Sequence, residues 1–222
     1  MHVVIREQES QVNNPRLLQV DLDPAQISGS RGYLAVKRLG DILLSLMGFL
    51  VLTIPMAVIA LLIRLDSPGP VIYAQERLGL NGKPFMIYKF RSMRLNAEED
   101  GPQWAAKDDE RCTKLGRVLR KSRLDELPQL YNILRGDMSI VGPRPERACF
   151  YYAFEEYIPG FKNRMAVLPG LTGLAQVNGG YSLLPEEKIV YDMEYVRNRS
   201  LRMDLLCIIK TVSVVFTHEG AR

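Results

Sequence analysis

The chain has 222 residues, a formal net charge of +4 and a pI of about 9.0. That length fits one domain with room for an appendage, and the basic balance suits an anionic membrane surface, a phosphorylated substrate or nucleic acid. Cys112, Cys149 and Cys207 are far apart with no CxxC pair, and the histidines are His2 and His218, near the two ends. A disulfide framework, structural zinc and a histidine-based core site are therefore excluded. Acid–base or nucleophilic chemistry falls to carboxylates, Lys, Tyr, Ser or Cys.

Residues 1–32 are polar and aperiodic, ending in a Ser-Gly-Ser linker. They read as an extension without the apolar core of a signal peptide, loosely structured or packed on a second protomer, which would make a homodimer. From Ile42 to Ile63 no residue is charged. As a helix this run would be ~33 Å long, enough to cross a ~30 Å hydrocarbon core. Pro55 interrupts its hydrogen-bond ladder. Lys37 and Arg38 precede it and Arg64 follows, and basic residues favour the cytoplasmic side. A helix over 33–66 that enters, bends at Pro55 and returns satisfies both ends; a kinked span is the alternative. Thr53 is near enough to satisfy a backbone group that the proline frees.

Residues 67–222 read as the cytoplasmic body. Alternation around Asn81-Gly82 predicts a β-hairpin rich in Arg and Lys, including Lys89 and Arg91. Residues 96–111 read as an exposed loop. Leu115, Leu119, Leu124, Leu127, Leu130 and Leu134 follow helical spacing up to a C-cap at Gly136. Pro128 rules out one uninterrupted helix: either a helix ends near Lys121 and a new one begins around Asp125–Pro128, with Asp125 and Glu126 at its positive end, or one helix kinks there. "MSIVGPRPERACF" is a proline-stiffened loop carrying Arg144 and Glu146, and "LPGLTG" reads as a tight turn or an anion-facing loop. Leu201–Phe216 is a largely apolar helix marked by Arg202, Asp204 and Lys210. The fold class expected is α/β, mostly helical.

Asp125 and Glu126 lie close to Arg120, Lys121 and Arg123. Acids among cations suit a phosphate-handling site: guanidinium groups hold the oxygens, and a carboxylate attacks phosphorus. Anion attacking anion calls for a divalent ion, and Mg²⁺ needs only one or two carboxylates with substrate oxygens. Neither a P-loop nor a dinucleotide fingerprint is present. Aromatic residues are only 8% and no nucleic-acid motif appears, so nucleic acid is not an expected partner. A non-catalytic protein anchored at anionic lipid accounts for the charge and the apolar run, but gives no reason for acids among the cations.

"KRLGDILLSLMGFLVL", "ERLGLNGKPFMIYKFRSM", "LRKSRLDELPQLYNILRGDMSIVGPRPE" and "LPGLTGLAQVNG" together resemble the successive motifs of the monotopic phosphoglycosyl transferases, the bacterial sugar transferases. The resemblance runs over roughly 33–217. It implies a re-entrant helix hinged at Pro55, interfacial amphipathic helices, and a small catalytic core on the cytoplasmic face of the bacterial inner membrane. It further implies transfer of a sugar 1-phosphate from a UDP-sugar to undecaprenyl phosphate with Mg²⁺, at the start of exopolysaccharide, capsule, O-antigen or glycoprotein glycan synthesis. By this resemblance Asp125 is the nucleophile, releases UMP and lies by the metal. Glu126 supports the second half-reaction, and Arg120 and Arg144, with Glu146, Lys89 and Arg91, attend the phosphates. Leu174 and Gly180 depart from the Trp and Arg that many members carry there.

Overall fold

A computed structural model describes residues 20–23, 26–99, 101, 103 and 109–217. Residues 1–19, part of the expected extension, and His218 lie outside the described residues. The described part of the extension beyond these, 20–23 and 26–32, packs on its own chain. Val20, Leu22 and Ile27 rest on the core, the Ser28 N–H donates to the Val196 carbonyl at 3.1 Å, and Lys162 pairs with Asp21 at 2.7 Å.

Helix α1 spans Arg31–Asp66, with the Ser30 hydroxyl accepting from the Tyr33 N–H. Its helical backbone continues through Pro55. The proline leaves the Val51 carbonyl without its helical donor. The Thr53 hydroxyl does not take that place; it donates to the Phe49 carbonyl one turn back, a bond that favours bending. Leu50 and Ile54 are 83% and 77% exposed, so this is not the core helix of a soluble body.

The other face of α1 is bound to the body along its length. Near its start, Arg38 caps the end of a later helix through the Ile133 and Leu134 carbonyls at 2.6 and 2.8 Å, a favourable place for a cation. Asp41 accepts from the Ile140 N–H at 2.9 Å. Midway, Phe49 and Leu52 pack on a cluster of Ile87, Leu130, Ile133 and Met138. Towards its end, Ile59 and Ile63 are buried with Phe90 and Leu119.

Strands β1 (Ile72–Leu78) and β2 (Pro84–Phe90) form the expected antiparallel hairpin. Asn81 and Gly82 take positive φ at its turn, as their residue types favour. Helix α2 (Lys114–Lys121) starts at Thr113, whose hydroxyl accepts from the Gly116 N–H at 2.9 Å. At Gly116 a Cβ would lie 1.8 Å from the Ser92 carbonyl oxygen. Only glycine lets α2 sit this close to the chain leaving β2. The helix ends before the acids, and Arg123 turns the chain with φ 58° and ψ 14°. The helix ends at Lys121 and a new one follows Pro128, the first of the two expected arrangements: α3 (Gln129–Arg135), closed by Gly136 at φ 91°.

The "LPGLTG" segment is neither a tight turn nor an anion loop. Gly170–Thr172 is a strand, β4, paired in parallel with β3 (Ser139–Val141). The Gly170 N–H donates to the Pro143 carbonyl and the Gly142 N–H to that of Thr172, both at 2.9 Å. These bonds fix the start of the "GPRPE" loop. Four helices complete the body: α4 (Ala148–Tyr157), α5 (Leu174–Val177), α6 (Pro185–Asn198) and α7 (Leu201–Thr217).

Helix α7 is amphipathic in an inverted sense. Asp204 and Cys207 face inward, whereas Leu201, Leu205, Leu206, Ile209 and Val212 face out. Asp204 is held by Lys37 at 3.1 Å and by the hydroxyls of Tyr33 and Tyr195 at 2.9 and 2.7 Å. That buried polar node ties α7 to α1, and their outer faces carry the exposed leucines, isoleucines and valines.

Candidate active site

Asp125 and Glu126 occupy a single 3-10 turn, Leu124–Glu126, between α2 and α3 rather than the first turn of a new α-helix. Both residues are 7% exposed, but Asp125 lines a cleft of about 380 Å³ and Glu126 does not.

Glu126 is saturated. Both Arg144 guanidinium nitrogens donate to it, one of them to Oε2 at 3.1 Å, and Lys89 Nζ lies 3.6 Å from Oε1. The two-pronged arginine contact is the strong form of such a pair. Burial alone would push the Glu126 carboxyl up; Arg144 and Lys89 more than reverse this and hold it well below the usual carboxylate range. No hydrogen bond or ion pair from the described residues reaches the Asp125 carboxylate. Burial and the neighbouring Glu126 charge push it up, against the pull of Lys89, Arg120 and Arg144. The dyad therefore holds one carboxylate locked in its ionised form and one that is more basic, uncommitted and open to the cleft.

The structure brings Lys89, Arg120 and Arg144 around the acids. Arg120, on α2, donates to the Cys112 thiol at 3.3 Å and makes no ion pair among the described residues. Arg91 lines the cleft too, but its guanidinium is spent elsewhere. It donates to the Pro68 carbonyl at 2.8 Å and to Ser67 through the carbonyl at 2.7 Å and hydroxyl at 2.9 Å, clamping the turn after α1. Glu146 pairs with Arg77 at 3.0 Å. It anchors the loop that presents Arg144, and an acid there has no charge to offer a phosphate. Pro55 lies on α1, away from the cleft lining.

No cluster of three metal-ligating side chains exists among the described residues. The cleft's donor set for a metal is the Asp125 carboxylate, since its other acids, Glu98 and Glu146, are already paired. One hard oxygen fits Mg²⁺ when diphosphate oxygens and water complete the shell, and does not fit zinc.

Sequence reasoning missed two features. Arg77, Glu98 and Arg147 also line the cleft, and strand alternation could have flagged Arg77 on the face that carries Gln75. Arg164 and Asp192 form a fully buried pair at 2.6 Å, with Arg164 over the Phe161 ring at 4.9 Å. No local pattern announces a pair whose partners are 28 positions apart.

The fold and site define a chain with one long apolar helix beside a cationic cleft that holds an uncommitted buried carboxylate. The profile of the bacterial sugar transferase family matches residues 32–218, and the chain belongs to that family. It is 44% identical over 193 residues to a UDP-N-acetylgalactosamine-undecaprenyl-phosphate N-acetylgalactosaminephosphotransferase of Aeromonas hydrophila, covering 86% of this chain and 46% of that protein. It is 39% identical over 191 residues to the UDP-glucose:undecaprenyl-phosphate glucose-1-phosphate transferase of Escherichia coli K12, covering 84% and 41%. To the exopolysaccharide production protein PSS of Rhizobium leguminosarum it is 44% identical over 188 residues, covering 81% and 94%. The chain spans less than half the length of the first two relatives and most of the third.

Proposed function

We infer that the protein transfers a sugar 1-phosphate from a UDP-sugar to undecaprenyl phosphate. One observation carries this reading: Asp125 is buried, free of partners among the described residues, held more basic than an ordinary aspartate, and open to a cationic cleft. A basic but still ionised carboxylate is a competent nucleophile at neutral pH. Arg120 has the free guanidinium donors, and Lys89 and Arg144 supply positive charge beside the attacked phosphorus.

An Asp125 carboxylate oxygen bonds to the sugar-bearing phosphorus of the donor as the bond from that phosphorus to the oxygen of UMP breaks. UMP leaves with the electron pair. An oxygen of undecaprenyl phosphate then attacks the same phosphorus, the acyl phosphate bond breaks, and the Asp125 carboxylate is restored. The product is an undecaprenyl diphosphate sugar. Glu126, ionised and doubly paired, acts by positioning Arg144 and Lys89 rather than by handling a proton. Asp125 and diphosphate oxygens would hold Mg²⁺, which when bound neutralises charge between the two anions.

The apolar outer faces of α1 and α7 support a seat in the membrane, and a nucleotide-sugar donor favours a cleft on the cytoplasmic side of a bacterial inner membrane. Both halves of α1 rest on one body, as a helix that enters and leaves on the same side requires; a straight span would carry one end across the bilayer. Mass spectrometry of protein mixed with donor alone tests the chemistry. A phosphosugar on the peptide containing Asp125, with one UMP released per chain, is the expected result. No adduct and no UMP would sink the covalent step.

A further inference from the structure

The cleft has two chemically different ends joined by the hairpin. Strand alternation puts Tyr73, Gln75 and Arg77 on one face of β1. The register sets Tyr73 opposite Lys89 and Gln75 opposite Ile87, and all five line the cleft. At the Lys89 end lie Asp125, Arg120 and Arg144. At the other end two arginines each meet a glutamate. Arg77 donates to Glu146 at 3.0 Å and to Gln75 Oε1 at 2.7 Å, and Arg147 donates to Glu98 Oε1 at 2.8 Å. Gln75 Nε2 joins the two pairs, donating to the Tyr73 hydroxyl at 2.9 Å and to Glu98 Oε1 at 3.1 Å.

The polarity of this ladder is defined. Arginine only donates, so the Gln75 oxygen must face Arg77 and its nitrogen must face Tyr73 and Glu98. The Tyr73 hydroxyl accepts from Gln75, and burial, then the charge of Glu98 and a hydrogen bond with it, push the pKa of the phenol up. Because Arg77 and Arg147 are each matched by a carboxylate, neither is left as a free charge for phosphate. Fixed phenol, amide and carboxylate groups beside an aromatic ring are what a neutral polyhydroxyl ligand requires.

We propose that Tyr73, Gln75 and Glu98 form the subsite that reads the hydroxyl pattern of the donor's sugar, with Arg77, Glu146 and Arg147 as the positioning residues that hold them. The assignment rests on the transferase reading above. In that reading the sugar is attached to the very phosphorus that Asp125 attacks, whereas uridine lies beyond a second phosphate. Paired strands are about 5 Å apart, and Lys89 already reaches Glu126. The ladder therefore begins one strand away from the reacting phosphate, where the sugar must lie.

The test uses the full chain in nanodiscs with undecaprenyl phosphate and Mg²⁺. UMP release is followed from UDP-sugars that differ at C2, hydroxyl against acetamido, or in the configuration at C4. Gln75→Ala and Glu98→Gln are expected to change the ratio of kcat/KM between donors by roughly tenfold or more. Tyr73→Phe, which keeps the ring, is expected to change it less. Calorimetric affinity for UDP, which has no sugar, is expected to stay within roughly twofold and also reports that each variant is folded. Donors slowed in equal proportion would overturn the subsite and leave the ladder a structural brace. A fall in UDP affinity as large as the fall in kcat/KM would overturn it in favour of a nucleotide contact. A wild-type protein that releases UMP from no donor would sink the transferase reading itself, and the subsite with it. Wild-type turnover with ratios untouched by the variants sinks the subsite alone.

Discussion

Two places in this molecule bury acid beside base, and they differ in one respect. In the core, the side chains of Arg164 and Asp192 are each 1% exposed and form an ion pair at 2.6 Å, with aromatic rings around the guanidinium. At the cleft, Glu126 has two cations to itself and Asp125 has none, although both acids are as buried as ordinary core residues. Burial and charge are common to both places, so neither marks a reactive site. What distinguishes the cleft is an imbalance: one carboxylate absorbs the nearest cations, and its neighbour is left ionisable, basic and open to a ligand. The core pair is closed on itself and holds α6 against the preceding segment.

Asp125→Asn probes that imbalance with the largest effect. Turnover is expected to fall by at least roughly a thousandfold. Stability at neutral pH is expected to rise, because burial raises the Asp125 pKa on folding and its charge therefore opposes folding above the ordinary carboxylate range. That gain should shrink as pH falls and the native side chain becomes neutral. Denaturation in detergent at two pH values, with UMP release in parallel, reads both parts. A variant that is dead and less stable would remove the case that Asp125 is an unpaired buried charge.

Breaking the core pair should have the opposite signature. Arg164→Met is expected to cost about 3–5 kcal/mol by stranding Asp192, and the double change to Met and Leu should recover much of it. Both effects would appear in denaturation midpoints. Recovery of fold without loss of UMP release would confirm that the pair serves structure alone.

Glu126→Gln should lie between these extremes. It leaves Arg144 and Lys89 without their charge partner, so stability is expected to drop by about 1–3 kcal/mol. Because folding lowers the Glu126 pKa, that contribution is present above the ordinary carboxylate range and is lost as pH falls through the lowered folded value. In the same variant Asp125 loses a repelling neighbour, and its pKa should fall. The acid limb of the wild-type kcat/KM profile is expected above the usual carboxylate range. Glu126→Gln should move it to lower pH; an unmoved limb would mean that Asp125 is not the group being titrated.

The smallest expected effect tests how the cleft is joined to the membrane helix. Arg38→Gln removes two bonds to the end of α3 and should cost about 1–2 kcal/mol. Asp41→Asn weakens the bond to the Ile140 N–H, on the strand that leads to Arg144. Reduced kcat with unchanged donor KM is the expected kinetic result for either change.

Much of this was legible along the chain. The apolar run, the hairpin at Asn81-Gly82, the cap at Gly136 and the outward-facing α7 each follow from local spacing. Asp125, Glu126, Arg120 and Arg144 stood out as residues of one chemistry, and the family motifs assigned them roles. Arg91 read as a phosphate ligand because a cation in a basic segment carries no mark of the carbonyls it will meet. "LPGLTG" read as a turn because glycines in sequence do not reveal that Gly142 and Gly170 must touch across a parallel pair. Thr53 was near the freed carbonyl in sequence, yet its hydroxyl points back along the helix.

Sequence by itself determined the elements and the chemical inventory, because helix and strand periods, turn residues and charge are local properties. Only the tertiary structure decided which of two adjacent acids is paired and which is free. The reason is physical: a carboxylate's basicity is set by solvent exclusion and by charges within a few ångströms, and here those charges arrive from β2, α2 and the "GPRPE" loop, up to 36 positions away from Asp125.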